Sequence, residues 1–460
     1  GDIELYIRWV NTLEAAGAEL GWESHFWYVW ALIFHRHYES GRVEHERLVK
    51  RLRSAAKRGL PPDLAQRIDY LRICLDILTD RIDDTLRRID DWLRVDRSDD
   101  PYNIGSVHGL KAIALATSFR FAQAREALTV AERVFRETDG AYTRGWVSKT
   151  HGSISLYEGD YLRAQRELGA GLARAREELG EEAVLADTLA FVNAFAAVEM
   201  GRDDEARELV RLGLRNAYGH GLVDVVACGF DAAVKLWQGG SDELISIPRL
   251  REVARSHPPR LGLMLSCFLV RRLLHLGRLK EALVEAQAVG LGADGARGPM
   301  PDAAQMAQPR FRDLHAATAL DLLMAATRYR EADALIEQEI ALARHDGRMA
   351  RLVELGLARM TIYLQVGDVR HATKELSQAV SRAAPRSIVR PFRDQAAAIA
   401  TLVNDTKPSA WAFALGEERT FFHQLCERLP IDNPVASQRI AAWSPDDAGV
   451  RRQVPCELGK

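Results

Sequence analysis

The run Val184-Leu185-Leu189-Phe191-Val192-Phe195-Val198, then Gly201-Arg202-Asp203, then Ala206-Leu209-Val210-Leu212-Leu214 decides the fold class. Its apolar residues recur at three- and four-residue steps, the spacing of one helix face. Gly201 can take the left-handed conformation that ends a helix, and the polar residue after it can cap the next one. Ala206 is small, so the second helix can pack close against the first. The stretch therefore predicts two antiparallel helices joined by a tight turn. No segment of the chain shows sustained period-two alternation, so no sheet is expected. Leu244-Ile245-Ser246-Ile247, before Pro248, reads as an irregular helix start.

The same phrase recurs along the chain. Clear copies are Gly159-Asp160 with Ala164, Gly201-Arg202 with Ala206, Gly277-Arg278 with Ala282, and Gly367-Asp368 with Ala372. Weaker copies in phase are Gly1-Asp2, Gly41-Arg42, Asp80-Arg81, Phe119 with Ala124, Gly240-Ser241, Thr327-Arg328 with Ala332, and Thr406-Lys407. A period near forty residues marks a helical-repeat array. The expected fold is all-α: a right-handed superhelical solenoid of antiparallel helix pairs, tetratricopeptide-like. Such arrays build extended surfaces that hold a ligand or partner.

Composition narrows the function. The net charge of −2 gives no global basic field for nucleic acid and no polybasic membrane anchor. No apolar run reaches the length of a membrane span. Cys74, Cys228, Cys267, Cys426 and Cys456 lack metal-ligand spacing, so they read as reduced thiols of a cytoplasmic protein. No Gly-x-x-x-x-Gly-Lys-Ser/Thr is present, so no phosphate-binding loop is expected. No cofactor, metal site or enzyme activity is expected.

Residues 2–16 resemble the second helix of a pair whose first is missing, as in a fragment of a longer protein. The repeats run through about residue 430. The Gly- and Pro-rich stretch from Gly290 to Pro309 reads as a long loop between helices. Residues 431–460, with Pro434, Pro445 and Pro455, have linker composition.

The opening Gly1-Asp2-Ile3-Glu4-Leu5-Tyr6-Ile7-Arg8-Trp9-Val10, with Trp27-Tyr28-Val29-Trp30-Ala31-Leu32 ahead of Gly41-Arg42, resembles the first repeat of a known sensor region. It is that of the MalT-type, ATP-dependent regulators of the LuxR superfamily. The resemblance covers residues 1 to about 430. It implies a tetratricopeptide-like sensor superhelix lying between a nucleotide-binding switch domain and a helix-turn-helix domain. Leu458-Gly459-Lys460 is similar to the opening of that DNA-binding domain. This chain would then bind a small-molecule inducer and relay it to the parent's other domains, without contacting nucleic acid or membrane itself. The alternative is a tetratricopeptide-like scaffold that grips a protein partner.

Counting eleven, eight and four residues back from each turn collects one face of each first helix. It brings Arg72, Lys111, His151 and Asn193 into one phase in four consecutive repeats, with His108 and Ser148 beside them. Arg144 and Trp146 are placed on or near the face of His151. These eight residues are the expected ligand-binding set of the concave wall, supplying donors and a stacking ring for a hydrophilic inducer; a merely solvated polar wall is the plainer reading. Trp22, Trp27, Tyr28 and Trp30 are expected to pack against an upstream domain. His35 and His37, two apart, are expected to point to different helix faces. Asp83-Asp84, Asp90-Asp91 and Asp99-Asp100 read as a solvated acidic face around Trp92.

Overall fold

The structure, a computed structural model, describes residues 2–55, 63–95, 100–138, 140–242, 245–292, 301–406, 411, 413 and 416–428. The expected linker 431–460, with Cys456 and Leu458-Gly459-Lys460, lies outside the described residues, as do Gly1, Asp99 and Lys407. Among the described residues every regular element is a helix and there is no strand.

The helices follow one another as antiparallel pairs, as the sequence predicts. Successive pairs are Trp22–Phe34 with Tyr38–Ser54, Leu64–Leu78 with Ile82–Arg94, Pro101–Thr117 with Phe121–Phe135, and Ala141–Glu158 with Tyr161–Leu179. Val184–Glu199 with Asp203–Arg215 and Pro259–His275 with Leu279–Ala286 come next, and between them Val223–Leu236 and the short Ile247–Arg255 each pack on Pro259–His275. Ahead of them, Asp2–Ala15 packs on Trp22–Phe34. The chain forms two compact units, Gly1–Val198 with Arg202–Thr327, and Glu199–Gly201 with Arg328–Lys460. The second contains the pair Met349–Gln365 with Val369–Ala383. The boundary at Thr327 falls inside the stretch 1–430 that the sequence reads as one array.

One turn device joins the pairs. Its central residue is left-handed: Arg36, Asp80, Phe119, Gly159, Gly201, Gly239, Gly277, Thr327 and Gly367 all have φ between 55° and 86°. The next amide donates back across the turn to the end of the first helix, as Arg81 N does to Asp76 O, Asp160 N to Ser155 O and Asp368 N to Tyr363 O, each 2.8 Å. These bonds satisfy carbonyls the helix would otherwise leave open. Where aspartate follows the turn it caps the next helix: Asp160 accepts from Arg163 N at 3.0 Å and Asp368 from His371 N at 3.1 Å. Where arginine follows, it reaches forward instead, as Arg278 does to Glu281 at 2.6 Å and Arg81 to Asp84 at 2.8 Å.

Five residues after the left-handed position stands a small or compact residue: Gly41, Thr85, Ala124, Ala164, Ala206, Ala282, Ala332 and Ala372, all buried. This corrects two turn assignments. Gly41 is not a turn residue; Arg36 is, at φ 67°. Gly41 lies inside its helix as the close-packing residue, where an added Cβ would stand 3.1 Å from Ile33 Cγ1. Likewise the left-handed residue is Gly239, not Gly240. The Gly-Arg spelling was shared, but its role in the first repeat is taken by packing. The stretch expected as a loop from Gly290 to Pro309 holds a short helix, Ala303–Ala307, with Asp302 and Gln305 capping each other; 293–300 lie outside the described residues. Ser246 caps Ile247–Arg255, as the irregular start before Pro248 suggests. The acidic run is largely paired: Asp84 with Arg81, Asp90 with Lys111, Asp91 with Arg94. Trp92 is buried, its indole N–H donating to Gln66 O at 3.0 Å.

Packing in the first unit is tight enough to need glycine. Phe191 lies between Gly213 and Gly229, where added Cβ atoms would stand 2.3 and 2.1 Å from its ring. Beside it His220 is buried, Nε2 donating to Gly213 O at 3.0 Å and Nδ1 paired with Thr188 Oγ1 at 2.9 Å. Burial holds its pKa down at about 4, so it is folded as the neutral imidazole.

Two outcomes follow from these features. Gly277 is left-handed with nothing within 4 Å of an added Cβ, so Gly277→Val should cost about 1–2 kcal/mol through backbone strain alone, read as a lower urea midpoint. No change would mean that the turn relaxes. His220 binds its proton more weakly folded than unfolded, where the value is about 6.5. Its contribution, about 3 kcal/mol, is present above that value and lost as pH falls from about 6.5 through about 4. The urea midpoint should drop over that window, and His220→Gln should flatten the slope.

Candidate functional site

The eight residues expected to form one binding wall do not come together. Arg72 pairs within its own helix with Asp76 at 3.2 Å, and Asp76 also accepts from Arg88 at 2.6 Å. Lys111 reaches Asp90 of the preceding pair at 2.7 Å. His151 lies 3.7 Å from Glu132, also of the preceding pair. Asn193 is buried, at 4% exposure. His108 is half-buried; burial, with Lys111 and Arg133 nearby, lowers its pKa. The common phase is real, but Lys111 and His151 turn to the second helix of the pair before.

Three of the eight do share a space. Arg144, Ser148 and His151 line an open groove of about 930 Å³ with Glu132, Arg163, Arg166, Glu167 and Arg174. Arg163 pairs with Glu167 at 2.9 Å, and Arg144 with Glu178 at 2.9 Å. Burial lowers the pKa of His151 more than Glu167 and Glu132 raise it. The groove is open, and basic side chains outnumber acidic ones along it.

Trp146 faces elsewhere. Five residues from His151 is a rotation of about 140° on a helix, and its ring lines a separate pocket. That pocket, of about 130 Å³, is walled by Tyr70, Tyr102, Ser106, Tyr142 and Trp146 from three successive first helices, with Leu222 opposite. Tyr102 and Tyr142 are partly exposed; Tyr70 is buried. About 150 Å³ of apolar cavity accommodates a benzene ring, so this space is the size of one six-membered ring. The signal was in the sequence, because Tyr102 and Tyr142 are 40 residues apart by subtraction and each stands second in its helix.

Behind the aromatic pocket lies a buried ionic cluster, assembled from residues far apart in the chain. Arg260, 2% exposed, donates to Asp80 (2.6 and 2.7 Å) and to Asp224 (2.8 and 3.1 Å). Arg310 donates to Asp224 at 2.8 Å and to the Tyr157 hydroxyl at 2.8 Å. Burial alone would raise the Asp224 pKa; the two guanidinia outweigh it and hold the carboxyl at about 2. Burial raises the Asp80 pKa more than Arg260 lowers it. Lys149 is also buried, at 2% exposure, with its Nζ 4.8 Å from the centre of the Trp146 ring. Burial lowers its pKa to about 8. It lines a small void of about 20 Å³ with Asp80, Thr150, Tyr157 and Asp224. The void and the aromatic pocket share Ile77, Ile113, Thr150 and Leu222 as walls.

Other candidates resolve into packing. Trp22 and Trp30 pack on the core of the first pairs, and the Tyr28 hydroxyl donates to Asn11 at 2.5 Å, whereas Trp27 is 48% exposed. His35 and His37 do not diverge as expected: the left-handed Arg36 between them brings their rings to 5.6 Å. No group of three metal-ligating side chains occurs among the described residues. Cys74, Cys228, Cys267 and Cys426 are buried and unpaired. No helix among the described residues is long and apolar enough to cross a membrane. Compared with models of known protein families the chain matches none, and no curated protein sequence matches it.

The first unit thus holds a ring-sized aromatic pocket backed by fixed charges. Its integrity should depend on Arg260. Arg260→Met leaves two buried carboxylates without their shared donor and should lower stability by about 3–5 kcal/mol, measured by urea denaturation. A loss under about 1 kcal/mol would mean that the bridge is not holding the helices together.

Proposed function

We propose that this chain is the effector-sensing region of a MalT-type regulator of the LuxR superfamily. In this reading it is a right-handed, tetratricopeptide-like solenoid with a period near forty residues. It holds a small-molecule inducer in the cytoplasm and relays occupancy to the nucleotide switch and helix-turn-helix of its parent protein. The chain itself performs no catalysis. Inducer binding would favour one arrangement of the parent over another, by as much as its affinity for the two differs.

The repeated turn with its small residue five positions on supports the repeat reading, and the family resemblance supports the class. The observation that carries the ligand-binding part is the aromatic pocket around Trp146, concave, apolar and backed by a few fixed polar groups. Of the eight residues first expected to bind ligand, Trp146 is thus the one retained in the preferred site. A second reading, a protein-binding scaffold, is favoured by the open basic groove at Arg144, Ser148 and His151, which suits an acidic peptide.

Thermal shift against a panel of small metabolites tests the first reading. A true effector at a hundredfold excess over its Kd should add about 2.7 kcal/mol of stability. Trp146→Ala should abolish that gain while retaining a cooperative melt. A gain that survives Trp146→Ala but disappears in an Arg144→Glu/His151→Glu variant would move the site to the groove.

A further inference from the structure

We infer that the half-open aromatic pocket takes a small aromatic carboxylate, its ring against Tyr70, Tyr102, Tyr142 and Trp146 and its carboxylate on the ammonium of Lys149. The inference rests on the ligand-sensing reading above and names the chemical class of its effector.

Charge is the first argument. The buried cluster holds three basic side chains, Lys149, Arg260 and Arg310, against two carboxylates, Asp80 and Asp224. Both carboxylates are committed. Asp80 binds the Nε and Nη2 of Arg260, and Asp224 is shared between Arg260 and Arg310. Lys149 has neither a hydrogen bond nor an ion pair among the described residues, and its one ring contact is with Trp146. Asp224 and Cys228 favour its charged form but do not outweigh burial, and neutralisation or an incoming anion relieves that cost. One added negative charge balances the cluster.

Placement is the second argument. Lys149 Nζ stands 4.8 Å from the ring that forms a wall of the aromatic pocket. The void it lines has room for about one water-sized group, and the pocket beside it for about one ring. A ring bearing one anionic substituent matches the two adjoining spaces in size, polarity and order. A longer hydrophilic ligand such as an oligosaccharide matches neither.

The groups facing Lys149 set the pH behaviour. Asp224 and Cys228 come from Val223–Leu236, Tyr157 from its own helix and Asp80 from the turn before Ile82–Arg94, while Arg260 and Arg310 act through their bonds to Asp224. Asp224 is held at about 2, and burial raises Tyr157 well above its ordinary value. From pH 7 to 9 Lys149, at about 8, should lose its charge. Carboxylate binding should weaken across that range.

Isothermal titration of the whole chain with benzoate and 4-hydroxybenzoate, their neutral amides, and chloride tests this. At pH 7 at least one acid should bind about tenfold or more tightly than its amide. The preference should shrink by pH 9 and vanish in Lys149→Met. The acid–amide comparison and its pH dependence are made on the unaltered protein, so they decide the matter even if Lys149→Met does not fold. Equal binding of acid and amide, no binding of either acid, or chloride alone binding in a Lys149-dependent way would each overturn the carboxylate assignment. If the metabolite panel still yields an effector lost in Trp146→Ala, the pocket remains the sensing site for a ligand of another class. If it yields none, the sensing reading falls with it.

Discussion

The first unit depends on one guanidinium. Arg260 lies in the interior with a carboxylate on either side, Asp80 from an early turn and Asp224 from a helix much later in the chain. Helical repeats ordinarily touch only their neighbours. Here a charge that cannot be left unpaired joins elements 180 residues apart. The cost of burying these ions is recovered only with good geometry and full pairing, and Arg260 has both. This bond draws distant elements together beside the small aromatic pocket, two of whose tyrosines, Tyr102 and Tyr142, remain exposed at its mouth.

The helix pairs and most of their turns were legible in the sequence because they are local. Gly159-Asp160 and Gly367-Asp368 spell out a left-handed stop and a cap within two residues, and the structure uses them so. Arg36, at φ 67°, could not be read this way, because nothing in an arginine announces a left-handed backbone. Tertiary packing against Gly41 settles that turn. Asp80 was placed in a turn correctly, but its bond to Arg260 has no signature at such separation.

The eight residues expected on one wall are spread over several surroundings for a related reason. Polar residues in one helical phase mark a face without saying what it faces. In Lys111 and His151 that phase meets acidic side chains of the preceding pair. The opposite phase, with Tyr70, Ile113 and Trp146, reads as ordinary core by composition and differs from core only in leaving space unfilled. Lys149 is the exception that composition could have flagged: a lone base two residues before His151, on the buried side of an otherwise apolar and small-residue stretch. Its role depends on partners that only the folded chain supplies.

The tie between Asp80 and Arg260 also has a consequence in time. A ribosome adding roughly 5–20 residues per second leaves Asp80 waiting roughly ten to forty seconds before Arg260 exists. The early helix pairs can form during that interval, since each is held by its own turn. Their apolar faces, Tyr70 and Trp146 among them, wait for the later elements that carry Leu222 and Arg260. During synthesis, then, the nascent chain presents the same apolar surface that later becomes its pocket. Transiently uncovered apolar surface of this kind is what makes a folding chain prone to aggregation.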